Sequence, residues 1–539
     1  MTRTSRFLTL SLAALSAALP SRAEPGKTVQ LGQVNFPTSC SPQARPSIET
    51  GVALLHSFQY QQADQTFTEA SKLDSHCAMA WWGKAMSQYE QLWAYPPSSA
   101  FKRGADNIKR AQKLGASTDR ERAYIATAAA FYLAKGKLSE KQRVQAFSTS
   151  LAGLHQQLPD DVNSAAFYAL SLLALADQQE VDADANRKAA IAILQPLCLA
   201  APGNPGPAHY LIHATDTPEF ASQGLDAARA YSKIAPDSSH ALHMPSHIFV
   251  RLGLWQESIA SNIAAANSAA KATLEHRAVP HYEFHALDFL DYSFLQSGQD
   301  SKARQLVKEL ANVPGADKES IAEHQAFFAA RNAFELHRWK EAATLPIPDV
   351  PRESQASTYK VRAIAAAHLG DVAAARQNLK KYSEIIAEEQ RKSSHHGEKP
   401  PDKTVRQLEV EAWVAFADGQ ADDAVTTMRS AADREDKDGV DSLAMPAREM
   451  LADLLLELKR PAEAFTEYQA ALKNSPNRFD SLYGAGHAAQ LAGDSAQASA
   501  YYLKLADICA PTADRAELIE AKSFTRTGLA QSAAPKTNQ

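Results

Sequence analysis

The feature that most constrains this chain is a repeated spacing. Ala464 and Ala498 stand 34 residues apart, and the same pattern of small and aromatic residues recurs around each. Over Met445 to Arg478, one helical stretch carries Leu451, Ala452 and Leu455. A second carries Ala464, Tyr468 and Ala471, and Pro476 closes the unit. From Phe479 the pattern returns as Gly486, Gly493, Ala498 and Tyr502. A period of this length, built of two amphipathic helices, marks an array in which each unit buries its apolar face only by stacking on its neighbours. Small residues mark where two helices approach closely, and the aromatic one turn later fills the groove between them. The same offsets relate Gly51, Ala63, Phe67 and Ala70, with Trp81 opening the next unit. Weaker copies run through Gly253–Trp255, Gly298, Trp339–Ala342, Gly370–Ala375 and Gly419–Ala424. Residues 100–200 fit least well, yet keep helical periodicity over Arg122–Leu133, Val144–Gln157, Ala165–Ala176 and Arg187–Leu194.

This period and these offsets resemble those of tetratricopeptide-repeat (TPR) proteins over most of residues 45–510. The resemblance implies an all-α fold, a solenoid of helical hairpins wound into a superhelix with a concave groove. It also implies that the first helix of each hairpin lines that groove, where a peptide or protein partner docks. Four segments further resemble a group of exported bacterial TPR proteins. They are Gly51-x-x-x-Leu55-His56-Ser57-Phe58, Cys77-Ala78-Met79-Ala80-Trp81-Trp82-Gly83, His240-Ala241-Leu242-His243-Met244-Pro245-Ser246-His247-Ile248-Phe249 and Pro446-Ala447-Arg448-Glu449-Met450-Leu451. Ser75-His76 departs from that group, where a proline is expected after the aspartate. The resemblance implies fold and export but supplies no activity.

The N-terminus reads as a secretory leader. Arg3 and Arg6 precede the apolar run Phe7–Leu19, and Ser21-Arg22-Ala23 places small residues at −3 and −1 of a cleavage site. The mature chain is then periplasmic or secreted, with no membrane span after cleavage. In that compartment the four cysteines can pair, and Cys40 with Cys77, flanking the first helical pair, is the most plausible bridge; free thiols remain the alternative. The expected organisation is a signal peptide (1–23), an N-terminal extension (24–44), a His-bearing helical array (45–386), a charged loop (387–404), C-terminal repeats (405–527) and a disordered tail (528–539). The loop contains His395-His396 and Pro400-Pro401. A net charge of −5 argues against a general nucleic-acid binder.

Histidine is unevenly distributed. Eight of the 17 lie between His209 and His285, seven of them in three successive first-helix regions and the eighth, His276, outside these patterns. The segments His209–Asp216 and His281–Asp288 share the pattern H-Y-x-x-H-A-x-D, and between them lies His240-Ala241-Leu242-His243-Met244-Pro245-Ser246-His247. Residues four apart share a helix face, so His209/His213, His243/His247 and His281/His285 are three facing pairs, and Asp216 and Asp288 follow three residues later on the same faces. Taking Gly253 and Gly298 as register marks aims His240, His243, His247, His285, Asp288 and Tyr292 into one stretch of groove. Pro245 either kinks its helix or opens a new one, which shifts His240 relative to His247. His56, His487 and Trp82 can also face the groove.

An i, i+4 histidine pair is a common helical chelate. The candidate ligands are His209, His213, Asp216, His240, His243, His247, His281, His285 and Asp288. Mixed imidazole and carboxylate donors suit a divalent transition metal (Zn, Fe, Mn, Co or Ni); without thiolates, copper is disfavoured. One ion with supporting partners, two ions, a metal-free polar ligand pocket and a structural hydrogen-bond network all fit the sequence. The leading functional reading is an exported repeat scaffold whose central groove binds a divalent metal or polar ligand. The alternative is a metal-dependent periplasmic enzyme, a hydrolase or oxidase with a mono- or dinuclear His/Asp site. No nucleotide-binding or hydrolase motif is present.

Overall fold

A computed structural model of the chain describes residues 29–178, 181–393, 403–513 and 515–533. The expected leader, His395-His396 with Pro400-Pro401, and the end of the tail (534–539) lie outside the described residues. Among the described residues every regular element is a helix and there is no strand. Consecutive helices form stacked hairpins, from Arg45–His56 with Tyr60–Leu73 to Phe479–Leu491 with Ser495–Ile508. The fold is an all-α, TPR-type helical-hairpin solenoid. No helix among the described residues is long and apolar enough to cross a membrane. Helix Val372–Ser393 runs into the charged stretch, and helix Ala516–Ala533 continues past Gly528.

Phe67 shows how the small–aromatic pattern sets the repeat. Its ring fills the space left by two glycines: a Cβ at Gly51 would lie 2.6 Å from Phe67 Cζ, and one at Gly83 would lie 2.3 Å from Cδ1. Gly486 stands to Tyr502 as Gly51 does to Phe67. The aromatic therefore inserts into the backbone groove of the helix beside it, and any side chain there must displace a close-packed ring. The turn inside the hairpins uses a left-handed residue, glycine at Gly253 (φ 65°) and Gly298 (φ 70°). In the first hairpin the corresponding residue is Phe58, with φ 53°. A side chain in that conformation costs roughly 1–2 kcal/mol, so its surroundings must hold it there.

The extension ahead of the first helix is strapped down. Gln33 N–H donates to the Gly203 carbonyl at 2.7 Å, and Phe36 stacks on Trp82 at 5.4 Å. Trp82 is fully buried and so packs between helices instead of facing the groove. A disulfide joins Cys40 to Cys77, while Cys198 and Cys509 are free.

The array also closes on itself. The Arg251 guanidinium donates to the Val440 carbonyl at 2.6 Å, and Trp255 Nε1–H to the Asn477 carbonyl at 2.8 Å. Arg478 is fully buried and donates to Tyr292 Oη, Glu335 Oε2 and Glu449 Oε2 at 2.8, 2.6 and 2.7 Å. Arg515 pairs with Asp300 at 2.8 Å. The C-terminal repeats thus pack across the hairpins at 250–300. Tyr292, expected in open groove, is sealed beneath them.

Candidate metal centre

Three helical segments deliver the histidines. Helix Pro205–Thr215 starts on an Asn204 cap, whose side chain accepts from Gly206 N–H, and every residue of the helix is buried. It is sandwiched so tightly that a Cβ at Gly206 would lie 2.6 Å from His56 Nδ1. The second segment is divided, with Ser239–His243 and Pro245–Arg251 meeting at Met244, and Pro245 opening the second piece. Both pieces keep helical backbone at Met244 (φ −53°, ψ −33°), so His240, His243 and His247 continue on one face. The third is His281–Gln296.

These segments bring six histidines together as two neighbouring triads. His209, His213 and His240 form one, and His243, His247 and His285 the other; within each, the candidate ligand nitrogens lie within 4.8 Å of one another. In the first, His209 Nε2 lies 3.1 Å from His213 Nε2 and 3.0 Å from His240 Nε2. In the second, His243 Nε2 and His247 Nε2 are 3.1 Å apart. The triads adjoin, with the rings of His213 and His247 centred 6.3 Å apart.

The tautomers follow from the partners of the other ring nitrogens. His209 Nδ1–H donates to the backbone carbonyl of His56 at 2.6 Å, which can only accept. His247 Nδ1–H donates to Asp216 Oδ2 at 2.8 Å. His243 Nδ1–H donates to Asn262 Oδ1 at 2.7 Å, and that amide is oriented by its own Nδ2–H donation to the Ser258 carbonyl at 2.9 Å. Neutral His209, His243 and His247 therefore each present a bare Nε2 lone pair toward the middle of a triad. Burial, reinforced by the neighbouring imidazoles, holds His209, His213, His240 and His243 well below the usual histidine range, and His285 at about 3. Two nitrogens bound to one ion at about 2.0–2.1 Å stand about 2.8–3.6 Å apart for bond angles from about 90° to 120°, and the observed Nε2 spacings of 3.1, 3.0 and 3.1 Å fall in that range.

The remaining predicted residues lie outside the triads. Asp216 supports His247 through Nδ1 and is paired with Arg251 at 2.9 Å. Burial raises its carboxyl, but His247 and Arg251 together outweigh that and hold it well below the carboxylate range. Asp288 is turned away into an ion pair with Arg331. His281 is exposed, its ring stacked 6.1 Å from His285. Each triad is covered by a phenyl ring. Phe58 lies 4.3, 5.3 and 5.8 Å from the rings of His209, His213 and His240. Phe289 lies 4.8, 4.6 and 5.4 Å from those of His243, His247 and His285. The strained Phe58 turn thus has a local purpose. Trp93, more than half exposed, meets His213 edge-on at 5.7 Å.

Sequence reasoning missed Phe58, Phe289, Asn262 and Arg251 as parts of this centre. The sequence aims the His56 side chain at the groove, but His56 acts on the triads through its carbonyl; its imidazole bonds Tyr210 and Asn163.

Elsewhere, His368 is stacked between Trp339 and Trp413, each centred 4.0 Å away, and burial pushes it down to about 3. The folded chain therefore binds this proton later than the unfolded chain as pH falls. The stability that a neutral His368 gives is complete above about pH 6.5 and is lost on the way down toward pH 3. His368→Phe keeps a ring in the stack and removes the titration. Urea unfolding of the wild type should lose about 2–3 kcal/mol more than this variant between pH 7 and pH 4. Equal losses in the two proteins would show that the site does not titrate as described.

No protein-family model and no curated protein matches this chain. Solved structures do. A tetratricopeptide repeat protein from Parabacteroides merdae is 14% identical, with 54% of this chain and 98% of that one aligned and a TM-score of 0.31. The human IFIT1 dimer with PPP-AAAA is 12% identical over 84% and 94% of the two chains, with a TM-score of 0.36. The APC/C hetero-tetramer Cut9-Hcn1 is 11% identical over 89% and 96%, with a TM-score of 0.28.

Proposed function

We propose that this chain is an exported helical-repeat scaffold that binds transition-metal ions at two adjoining tri-histidine sites in its middle third. The observation that carries this reading is the convergence of Nε2 lone pairs whose Nδ1 protons are already committed to a carbonyl, an amide oxygen and a carboxylate. Imidazoles fixed in this way by outer partners are the usual arrangement of metal-ligating histidine. Asp216 and Asp288 take no place among the donors in this proposal; they orient or stand apart. The Cys40–Cys77 disulfide supports export, since such bonds persist in oxidising compartments. Room for a peptide partner lies away from the triads, in a cavity of about 290 Å³ whose lining includes Trp339, His368, Asp453, Tyr483 and His487.

The test is metal content. The mature chain, purified without a His-tag and dialysed against each of several first-row ions, should retain stoichiometric metal. His243→Ala/His247→Ala should lose the share held by the second triad while keeping its helical circular dichroism. Absence of retained metal in the wild type, whichever ion is supplied, would overturn the proposal.

A further inference from the structure

Both triads share a feature that discriminates among metals. Each offers three imidazoles and no carboxylate, and a phenyl ring packs against it: Phe58 on one side, Phe289 on the other. Phe58, His209, His240 and His243 are all under 9% exposed. Resting on the reading above, we propose that the two triads hold a pair of copper(I) ions, each bound by three histidines and closed off by its phenyl cap.

Coordination number is the first argument. Zinc in proteins completes four ligands, needing a water beside three histidines, and Fe, Co and Ni in their divalent states commonly take four to six. Copper(II) prefers tetragonal arrangements of four or more donors. A monovalent d10 ion is content with three. A phenyl ring packs against each triad, Phe58 at 4.3 Å from the His209 ring and Phe289 at 4.6 Å from the His247 ring, so apolar surface lines the approach to both. Neither ring can donate a lone pair.

Charge is the second argument. Two divalent ions would place four positive charges among six imidazoles, with the first triad buried and the second partly so. The one carboxylate bonded to a triad histidine, Asp216, is already balanced by Arg251 at 2.9 Å. Arg187, which donates to the His213 carbonyl at 3.1 Å, is paired with Asp177 and contributes no net anion. Asp288 is committed to Arg331. Burying uncompensated charge is expensive, and a pair of monovalent ions halves it. Imidazole is an accepted ligand for copper. The sequence disfavours copper because it offers no thiolate set; the caps and the charge count reverse that preference.

The test uses the full mature chain and does not depend on any variant folding. Apoprotein is titrated with copper(I) without oxygen, against a chromophoric copper(I) chelator, and in parallel with Zn²⁺ against a zinc indicator. The expected result is two copper(I) per chain, bound at least about 100-fold more tightly than zinc. X-ray absorption should give three nitrogen neighbours per copper. His209→Ala should lose one copper and His243→Ala the other. If zinc or nickel is held but copper(I) is bound no more tightly, or if copper takes four or more ligands, this inference fails while the metal-binding reading stands. If neither copper(I) nor any divalent ion is retained, both fail.

Discussion

Replacing Arg478 with methionine should lower the stability of the folded chain by about 3–5 kcal/mol, the effect expected when one partner of a buried ion cluster is removed. The guanidinium has no exposed surface, and neither does Glu449; Glu335 has almost none. Methionine fills much of the volume but leaves both carboxylates buried without their cation, and it removes the donor to Tyr292 Oη. Loss of net favourable interaction is not what makes the effect large, because a buried ion pair contributes little over a well-packed apolar group. The cost comes from the charges stranded by the substitution. Urea unfolding followed by circular dichroism measures it. Adding Glu449→Gln to Arg478→Met should recover part of the loss, since one stranded charge is then gone. A single variant within about 1 kcal/mol of wild type would contradict the burial described for this cluster.

The second large effect concerns Cys40 and Cys77. The disulfide closes a loop spanning a sequence separation of 37 residues. Constraining a loop of that length in the unfolded chain is worth about 4 kcal/mol in the chain-entropy treatment. Cys40→Ser/Cys77→Ser should therefore lower the urea midpoint markedly, and reductant should do the same to the wild type but nothing further to the variant. The bond also fastens the segment carrying Phe36 onto the helix carrying Trp82, and the following hairpin supplies the His56 carbonyl that orients His209. A variant as stable as wild type under oxidising conditions would refute the expected contribution.

Much of the architecture is legible in the residues themselves. Small and aromatic residues at offsets of a 34-residue period are visible because each repeat solves the same local packing problem, as Phe67 does between Gly51 and Gly83. The three i, i+4 histidine pairs are legible for the same reason: a helix face is a local property. How the histidines divide is not. His240 joins His209 and His213, while His243 joins His247 and His285, and that partition depends on how the hairpins stack. Asp288 and Asp216 occupy identical places in the repeated pattern, yet one meets Arg331, 43 residues on, and the other meets His247. Distant partners decide their roles. The phenyl caps and the backbone carbonyl of His56 are invisible for a different reason, since nothing in a phenylalanine or a peptide group announces a metal.

The contacts that bring residues 440–515 across hairpins 250–300 change how the array comes apart. A linear solenoid can peel from either end one repeat at a time, because each unit answers only to its neighbours. Here the N-terminal strap is tied to Gly203, and the last repeats hold Asp300, Gln296 and Tyr292. Neither the strap nor the last repeats can fray alone. Amide hydrogens of the strap at Gln33 and of residues 478–515 should therefore exchange on the timescale of the middle, so that the triad histidines and the last repeats sit inside a single cooperative unit.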